Sequence, residues 1–188
     1  MAKPNLLDRF SQQITILGGF VALMWVLEII DLVIFRGGLD GLGIHPRKLS
    51  GLWGILFCPF LHGGMRHLIA NTAPFITLGW LVMLRRMEDF WVATIVSMGV
   101  GGLGVWIGGA SNSVHLGASG LVFGYLGFLL GRAYFERKLE SIALGFLVLV
   151  VYGGLLWGVL PLQPYVSWEG HLFGLVGGAL AARWQSQR

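Results

Sequence analysis

Cysteine is almost missing from this chain. Cys58 is the single one, which excludes an internal disulfide and any multi-cysteine metal cage. Charge is scarce too: Asp, Glu, Lys and Arg make up 12% of the 188 residues, against roughly 25% in a soluble globular domain. No H-E-x-x-H occurs, and "EGH" at 169–171 does not supply one, so a zinc-protease motif is lacking. No internal repeat, low-complexity tail or charged soluble segment stands out, which points to one membrane domain over 1–188. Without an inverted repeat, a transporter or channel built from paired halves is disfavoured. The first apolar run is too long for a signal-peptide core and lacks a small-residue cleavage site, so it is expected to stay as a helix.

What is present is apolar. Hydrophobic residues make up 55% of the chain, with thirty Gly and eight Trp, and the mean hydropathy is +0.74. That composition belongs to a polytopic membrane protein, in which Gly is commoner than in soluble helices. Six apolar stretches are read, at about 14–35, 68–84, 91–110, 116–131, 142–160 and 166–182. A spanning helix needs about 20 residues, within a range of ~17–25. The fourth stretch falls short of it. The long connection Gly37–Phe60 mixes Gly and Pro with Leu52, Trp53, Ile55, Leu56 and Phe57, and so is expected to lie in the membrane interface.

The sequence pI is near 9.6, but the basic residues sit in small clusters between apolar runs, which reads as membrane topology and not as nucleic-acid binding. With the N-terminus inside, nine lie inside (Lys3, Arg9, Arg85, Arg86, Arg132, Arg137, Lys138, Arg183, Arg188) and four outside (Arg36, Arg47, Lys48, Arg66). Both termini are thus expected in the cytoplasm. The second, fourth and sixth helices then all begin at the outer face, carrying His67 with Asn71, Ser119, and His171 in their first turns.

These groups could perform acyl transfer. A serine hydroxyl is a weak nucleophile until a neighbour takes its proton. Of five histidines, His171 alone sits inside a helix at matching depth among small neighbours, in "WEGHLFGLVGG". Gly170, Gly174 and Gly178 form an i, i+4 ladder, matched by Gly120 and Gly124 on the serine's helix, and small-xxx-small faces let helices approach closely in lipid. His67 and Asn71 share a helix face and can donate hydrogen bonds to an oxyanion. Each feature alone has a plainer reading. The glycines can serve packing, Ser119 can bond its own helix backbone, and the His–Asn pair can tie a loop to a helix end. Together they place an expensive set of polar groups at one depth in the bilayer. If Arg132 and Arg137 fix the inner end of the short fourth helix, Ser119 lies below the outer surface. The "GGASNSVH" segment ahead of it then descends as irregular backbone, which is tolerated where it lines a wet cavity or packs in protein.

"HGGMRHLIAN", "GASG" and "GHLFGLVGG", in that order on helices two, four and six, resemble the rhomboid family of intramembrane serine proteases, and the resemblance covers essentially the whole chain. It implies an all-α, six-transmembrane-helix bundle with an interfacial first loop. Ser119 would be the nucleophile and His171 the general base, with no acid partner. His67, Asn71 and the Ser119 backbone N–H would form the oxyanion hole. The implied substrates are transmembrane segments of other proteins, cut near the outer face in a lipid bilayer, with no metal and no cofactor. The bacterial plasma membrane is the expected location. Family members often carry Tyr four residues after the serine, stacked on the histidine; Phe123 stands there in this chain. The Trp-Arg pair of many bacterial first loops is also missing, and "IHPR", with Arg47, resembles the Pro-Arg loop of another bacterial subgroup.

Two further features are read from the residues themselves. Glu28 and Asp31, i and i+3 on the first helix, are expected to anchor the first loop through Arg36 or Arg47, with a proton relay as the alternative. Cys58 is expected to be inert packing. The competing function is a catalytically silent rhomboid-like protein that binds transmembrane helices without cutting them. Silent members generally lack one residue of the dyad, whereas Ser119 and His171 are both present here.

Overall fold

A computed structural model describes residues 5–163 and 165–188; Lys3, which enters the charge count above, lies outside them. Among the described residues the chain is helical, with no strand beyond a single bridge between Ile44 and His115. The elements are α1 (Leu6–Ile30), α2 (Gly54–Phe57), α3 (Met65–Met83), α4 (Met87–Gly108), α5 (Ser119–Glu136), α6 (Leu139–Tyr152) and α7 (Trp168–Ser186). The six long helices correspond to the six apolar stretches. α1, α4 and α6 with their extensions are long and apolar enough to cross a membrane by length and composition. The three that carry the candidate site, α3, α5 and α7, are less apolar and are not among those.

Three helices depart most from the boundaries read in the sequence. α1 begins at Leu6 because Asn5 caps it: the Asn5 side chain accepts from the Asp8 N–H, while the Asp8 carboxylate accepts from the Asn5 N–H. Its far end continues as a π-helical turn, Asp31–Phe35, and stops at Arg36, whose φ of 53° is left-handed. α5 begins at Ser119 and runs to Glu136, so it has 18 residues and not sixteen. α6 ends at Tyr152 and tightens into a 3-10 segment, Gly153–Val159.

α5 is the central helix. Leu121 to Leu129 are buried without interruption, as expected of a helix that is apolar on every face and surrounded by protein. α7 packs between α5 and α4, and the glycines decide how closely. A Cβ on Gly174 would run into the Gly120 carbonyl, and one on Gly178 into the Gly124 carbonyl. Gly131 lies over Ala179, where a Cβ would come within 3.2 Å of Cα. On the other side of α7, a Cβ on Gly177 would sit 2.8 Å from Ser97 Cα of α4. The expected ladder is therefore a backbone-to-backbone seam. An aromatic cluster fills the other side of the core, with the Phe75 and Phe90 rings tilted against Tyr125 at centroid distances of 5.6 and 5.4 Å. The Tyr125 hydroxyl is bonded to Thr94 at 2.9 Å, which avoids an unpaired buried polar group. Large apolar side chains on α1 and α6, such as Val26, Val33, Phe146 and Val150, are more than half exposed. A face of that kind suits lipid and not water.

The first loop folds onto itself and onto the α4–α5 connection. Ile44 and His115 exchange backbone hydrogen bonds at 2.8 and 3.0 Å. Gly51 is pressed against the His45 backbone and Gly54 against Gly43 and Ile44. Leu49 and Trp53 remain exposed at the rim. The expected Arg anchor for the α1 carboxylates is not found among the described residues. Arg47, with φ of 58°, turns toward the end of α4 and donates to the Ile107 carbonyl at 2.8 Å and to Ser111 Oγ at 2.6 Å. Asp31 holds the loop differently, by accepting from the Leu39 backbone N–H at 2.9 Å. A short carboxylate beside a helix end reaches a free backbone N–H more readily than a distant guanidinium.

Candidate active site

Ser119, His171, His67, Asn71 and Phe123 line one cavity of about 650 Å³, together with Ser167 and the exposed Tyr165. Three helix beginnings meet there, and the seam between α5 and α7 explains how. Gly120 lies beside the Gly170 carbonyl, 3.6 Å from where a Cβ would be, and Gly174 lies against the Gly120 carbonyl. These contacts flank Ser119 on one helix and His171 on the other. Side chains larger than hydrogen at this crossing would force the two mouths apart.

Ser119 occupies the first position of α5, where the backbone N–H groups have no intrahelical acceptor. The turn that delivers it is built around Gly117, with φ of 112°. A side chain at Gly117 would be strained in that conformation and would also strike the His67 ring, 2.6 Å from Cε1. Two loop residues clamp the turn. The Cys58 carbonyl accepts from the Gly117 N–H at 2.9 Å, and His62 Nε2 accepts from the Ala118 N–H at 3.3 Å. The His62 ring packs edge-on against His67, with centroids 5.1 Å apart. Asn71, nearly buried, donates from Nδ2 to the His67 carbonyl at 3.1 Å. Its amide has a second N–H to offer the cavity.

His171 is fixed from two sides. The Phe123 ring stacks on it with centroids 4.1 Å apart and planes 9° from parallel. The Nδ1 atom lies 2.8 Å from the Gly158 carbonyl. A carbonyl only accepts, so Nδ1 carries the proton and Nε2 is left as the basic nitrogen. Gly158 has to be glycine here, because a Cβ would come 3.1 Å from His171 Nδ1 and 2.9 Å from the Phe123 ring. Among the described residues, no hydrogen bond joins Ser119 Oγ to His171. Glu169 is buried on the same helix and does not bond the imidazole.

Sequence reasoning missed His62, His115, Ser167 and Gly158. His115 joins the α4–α5 loop to the start of α7: its Nε2 is 2.7 Å from Ser113 Oγ and its Nδ1 is 2.6 Å from Ser167 Oγ. Ser113 donates to the Ala110 carbonyl, so Ser113 accepts from Nε2–H, and Ser167 donates to Nδ1 while capping Gly170 N–H of α7. The chain of bonds suits a neutral imidazole and ties the α4–α5 loop to the start of the helix that bears His171. Burial lowers the His115 pKa, partly opposed by Glu169. Burial and then the neighbouring His67 push His62 down to about 4. Burial pushes the Cys58 thiol up to about 12. It therefore stays protonated and packs, with Sγ donating to the Gly117 carbonyl at 3.8 Å.

Two buried neutral histidines give a pH signature. Each binds its proton less readily folded than unfolded, so the unfolded chain takes up protons first as pH falls, and stability falls with it. Thermal stability in detergent should be level above about pH 6.5, the unfolded histidine value. It should decline below that, toward the folded His62 value of about 4, with His62 contributing on the order of 3 kcal/mol. A midpoint unchanged between pH 7 and pH 4.5 would contradict the neutral assignment.

Known proteins place these observations. A family model for the rhomboid domain matches residues 49–188. An uncharacterized protein of Mycobacterium tuberculosis is 46% identical over 171 residues, covering 87% of this chain and 71% of the relative. A Mycobacterium leprae protein, also uncharacterized, is 43% identical over 172 residues, covering 87% of this chain and 67% of the relative. A Bacillus subtilis protein bearing the name "Putative rhomboid protease YdcA" is 27% identical over 179 residues, covering 92% of this chain and 87% of its own. The matched segment spans every residue that lines the cavity, and so the all-helical membrane fold described above is that of a member of the rhomboid family.

Proposed function

We propose that this protein is an intramembrane serine endopeptidase that cleaves transmembrane segments of other membrane proteins near the extracytoplasmic face. The observation that carries this reading is the fixed tautomer of His171: with Nδ1 committed to the Gly158 carbonyl, Nε2 is the proton acceptor on the wall of the cavity that Ser119 also lines. Ser119 Oγ attacks the scissile carbonyl while His171 Nε2 takes its proton, then returns it to the leaving amine as the C–N bond breaks. Water repeats the sequence on the acyl-enzyme and frees Ser119. The oxyanion is met by the Ser119 N–H, the Asn71 amide and His67. In place of an acid, the Gly158 carbonyl dipole supports the imidazolium through Nδ1–H. A second cavity of about 40 Å³, lined by Ser97, His115 and Ser119 among others, has room for water beside the nucleophile.

The positive-inside bias puts both termini in the cytoplasm and the cavity toward the exterior, in a bacterial plasma membrane. Wild type and variants reconstituted with a transmembrane substrate test the reading. His171→Ala should lose turnover by about 10³-fold or more, as expected for removal of a base that acts as a unit with its nucleophile. Asn71→Ala should cost about 10²-fold, since other donors remain. Equal cleavage by wild type and His171→Ala would overturn the base assignment. Substrate binding without cleavage by wild type would favour the silent-binder function.

A further inference from the structure

At the end of the bundle opposite Ser119, the structure holds a second polar site that proteolysis does not use. Seventeen helical steps along α5 separate Ser119 from Glu136, about 25 Å. There a cavity of about 460 Å³ is lined by Arg85, Arg86, Arg132, Glu136, Lys138, Gln185 and Arg188 among others. Arg132 is buried and locked in place, with NH1 2.8 Å from Asp89 and Nε 2.9 Å from Glu136. Arg86 reaches the other Asp89 oxygen at 3.1 Å, and Arg85 reaches Glu136 at 2.5 Å. Five cationic side chains thus face two carboxylates, and three positive charges are left over.

Topology alone explains cations at this end, and basic residues also suit the C-termini of α5 and α7. Neither explains Gln185. It is 5% exposed and lines the cavity, yet among the described residues its Oε1 and Nε2 have no hydrogen-bond partner. A buried amide without partners is costly and calls for a ligand group within reach. That group must accept hydrogen bonds from guanidinium and ammonium donors and from the amide N–H, while a hydroxyl on it can serve Oε1.

We propose that this cavity binds a phosphate-bearing anion, held by Arg86, Arg132, Lys138 and Arg188 with the Gln185 amide. Its depth matches the headgroup level of the leaflet opposite the candidate active site, a hydrocarbon core being ~30 Å thick. Basic pockets between membrane helices suit phospholipid headgroups; free phosphate offers the same oxyanion. The inference is independent of the protease reading, because its test reads stability and not cleavage.

The purified full chain in a neutral detergent is titrated with short-chain phosphatidylglycerol, with matched phosphatidylcholine, and with inorganic phosphate at constant ionic strength, following the thermal midpoint. A saturable rise with phosphatidylglycerol and not with inorganic phosphate assigns a lipid headgroup; a saturable rise with inorganic phosphate assigns the free anion. In Lys138→Gln/Arg188→Gln, which leaves every ion pair above intact, half-saturation should move up by about tenfold or more. Gln185→Leu should weaken binding while leaving the unliganded midpoint unchanged or higher, whereas a purely structural glutamine would lower it. No rise from either phosphate source, or an unaltered half-saturation in the double variant, would overturn the proposal.

Discussion

Ser119→Ala is expected to leave no measurable cleavage of a reconstituted transmembrane substrate, with the thermal midpoint within about 1 kcal/mol of wild type. Ser119 is only half-buried and its hydroxyl bonds no other described group, so removing it costs the fold little. It removes the one atom that can form the acyl bond. Where nucleophile and base act as a unit, losing either costs about as much as losing both, on the order of 10⁶ in the best-studied serine hydrolase. The check is a progress curve at high enzyme concentration, with the variant's folding verified by its midpoint. Cleavage by the alanine variant at more than about one-thousandth of the wild-type rate would remove the serine from the mechanism.

Gly178→Leu should have the largest effect on the fold. A Cβ at Gly178 would overlap the Gly124 carbonyl and lie 2.7 Å from its carbon and 2.8 Å from the Phe128 nitrogen. All of these neighbours are backbone of a buried helix, so none can rotate away. Relief requires α7 to move off α5, which opens the seam that continues through Gly174 to Ser119 and His171. Overpacking typically costs about 1–3 kcal/mol, and backbone neighbours put this site at or above the upper end. The expected outcome is loss of most folded protein in detergent and loss of activity in what remains. Gly99→Leu is the control, because nothing lies within 4 Å of a Cβ there. Equal midpoints for the two variants would refute the backbone seam as the device that joins the helix mouths.

The seam was legible because glycine spacing is a local signal: i, i+4 repeats on two apolar helices say which faces meet. The stacking position of Phe123 was legible only through the resemblance to the rhomboid family, whose members often carry Tyr four residues after the serine. The start of α5 was not. The apolar run begins at Leu116, but Gly117 takes a positive φ and the turn is clamped by Cys58 and His62, residues far away in sequence. The group that orients His171 was also hidden, since it is a backbone carbonyl with no side-chain signature. Gly158 could have been suspected only as a glycine in an otherwise bulky segment, "LLWGVL". The charge pattern misled at Arg47, because opposite charges near one another in sequence say nothing about a turn that points the guanidinium at α4.

The end of the bundle away from Ser119 shows the complementary case. Arg85, Arg86, Arg132 and Lys138 read from the sequence as topology signals. The structure adds that the three arginines, together with Asp89 and Glu136, form an ordered network around a cavity that also contains a glutamine with no hydrogen-bond partner among the described residues. Burial of Gln185 depends on how α7 ends against α5, which no local pattern encodes.

Mass-spectrometric mapping of a fluorophosphonate adduct on the detergent-purified protein tests the central claim most directly. The account expects a single adduct on Ser119 Oγ, absent from Ser119→Ala and strongly reduced in His171→Ala, whose imidazole is needed to take the serine proton. An adduct on another residue, or one formed on Ser119 at the same rate without His171, would contradict it.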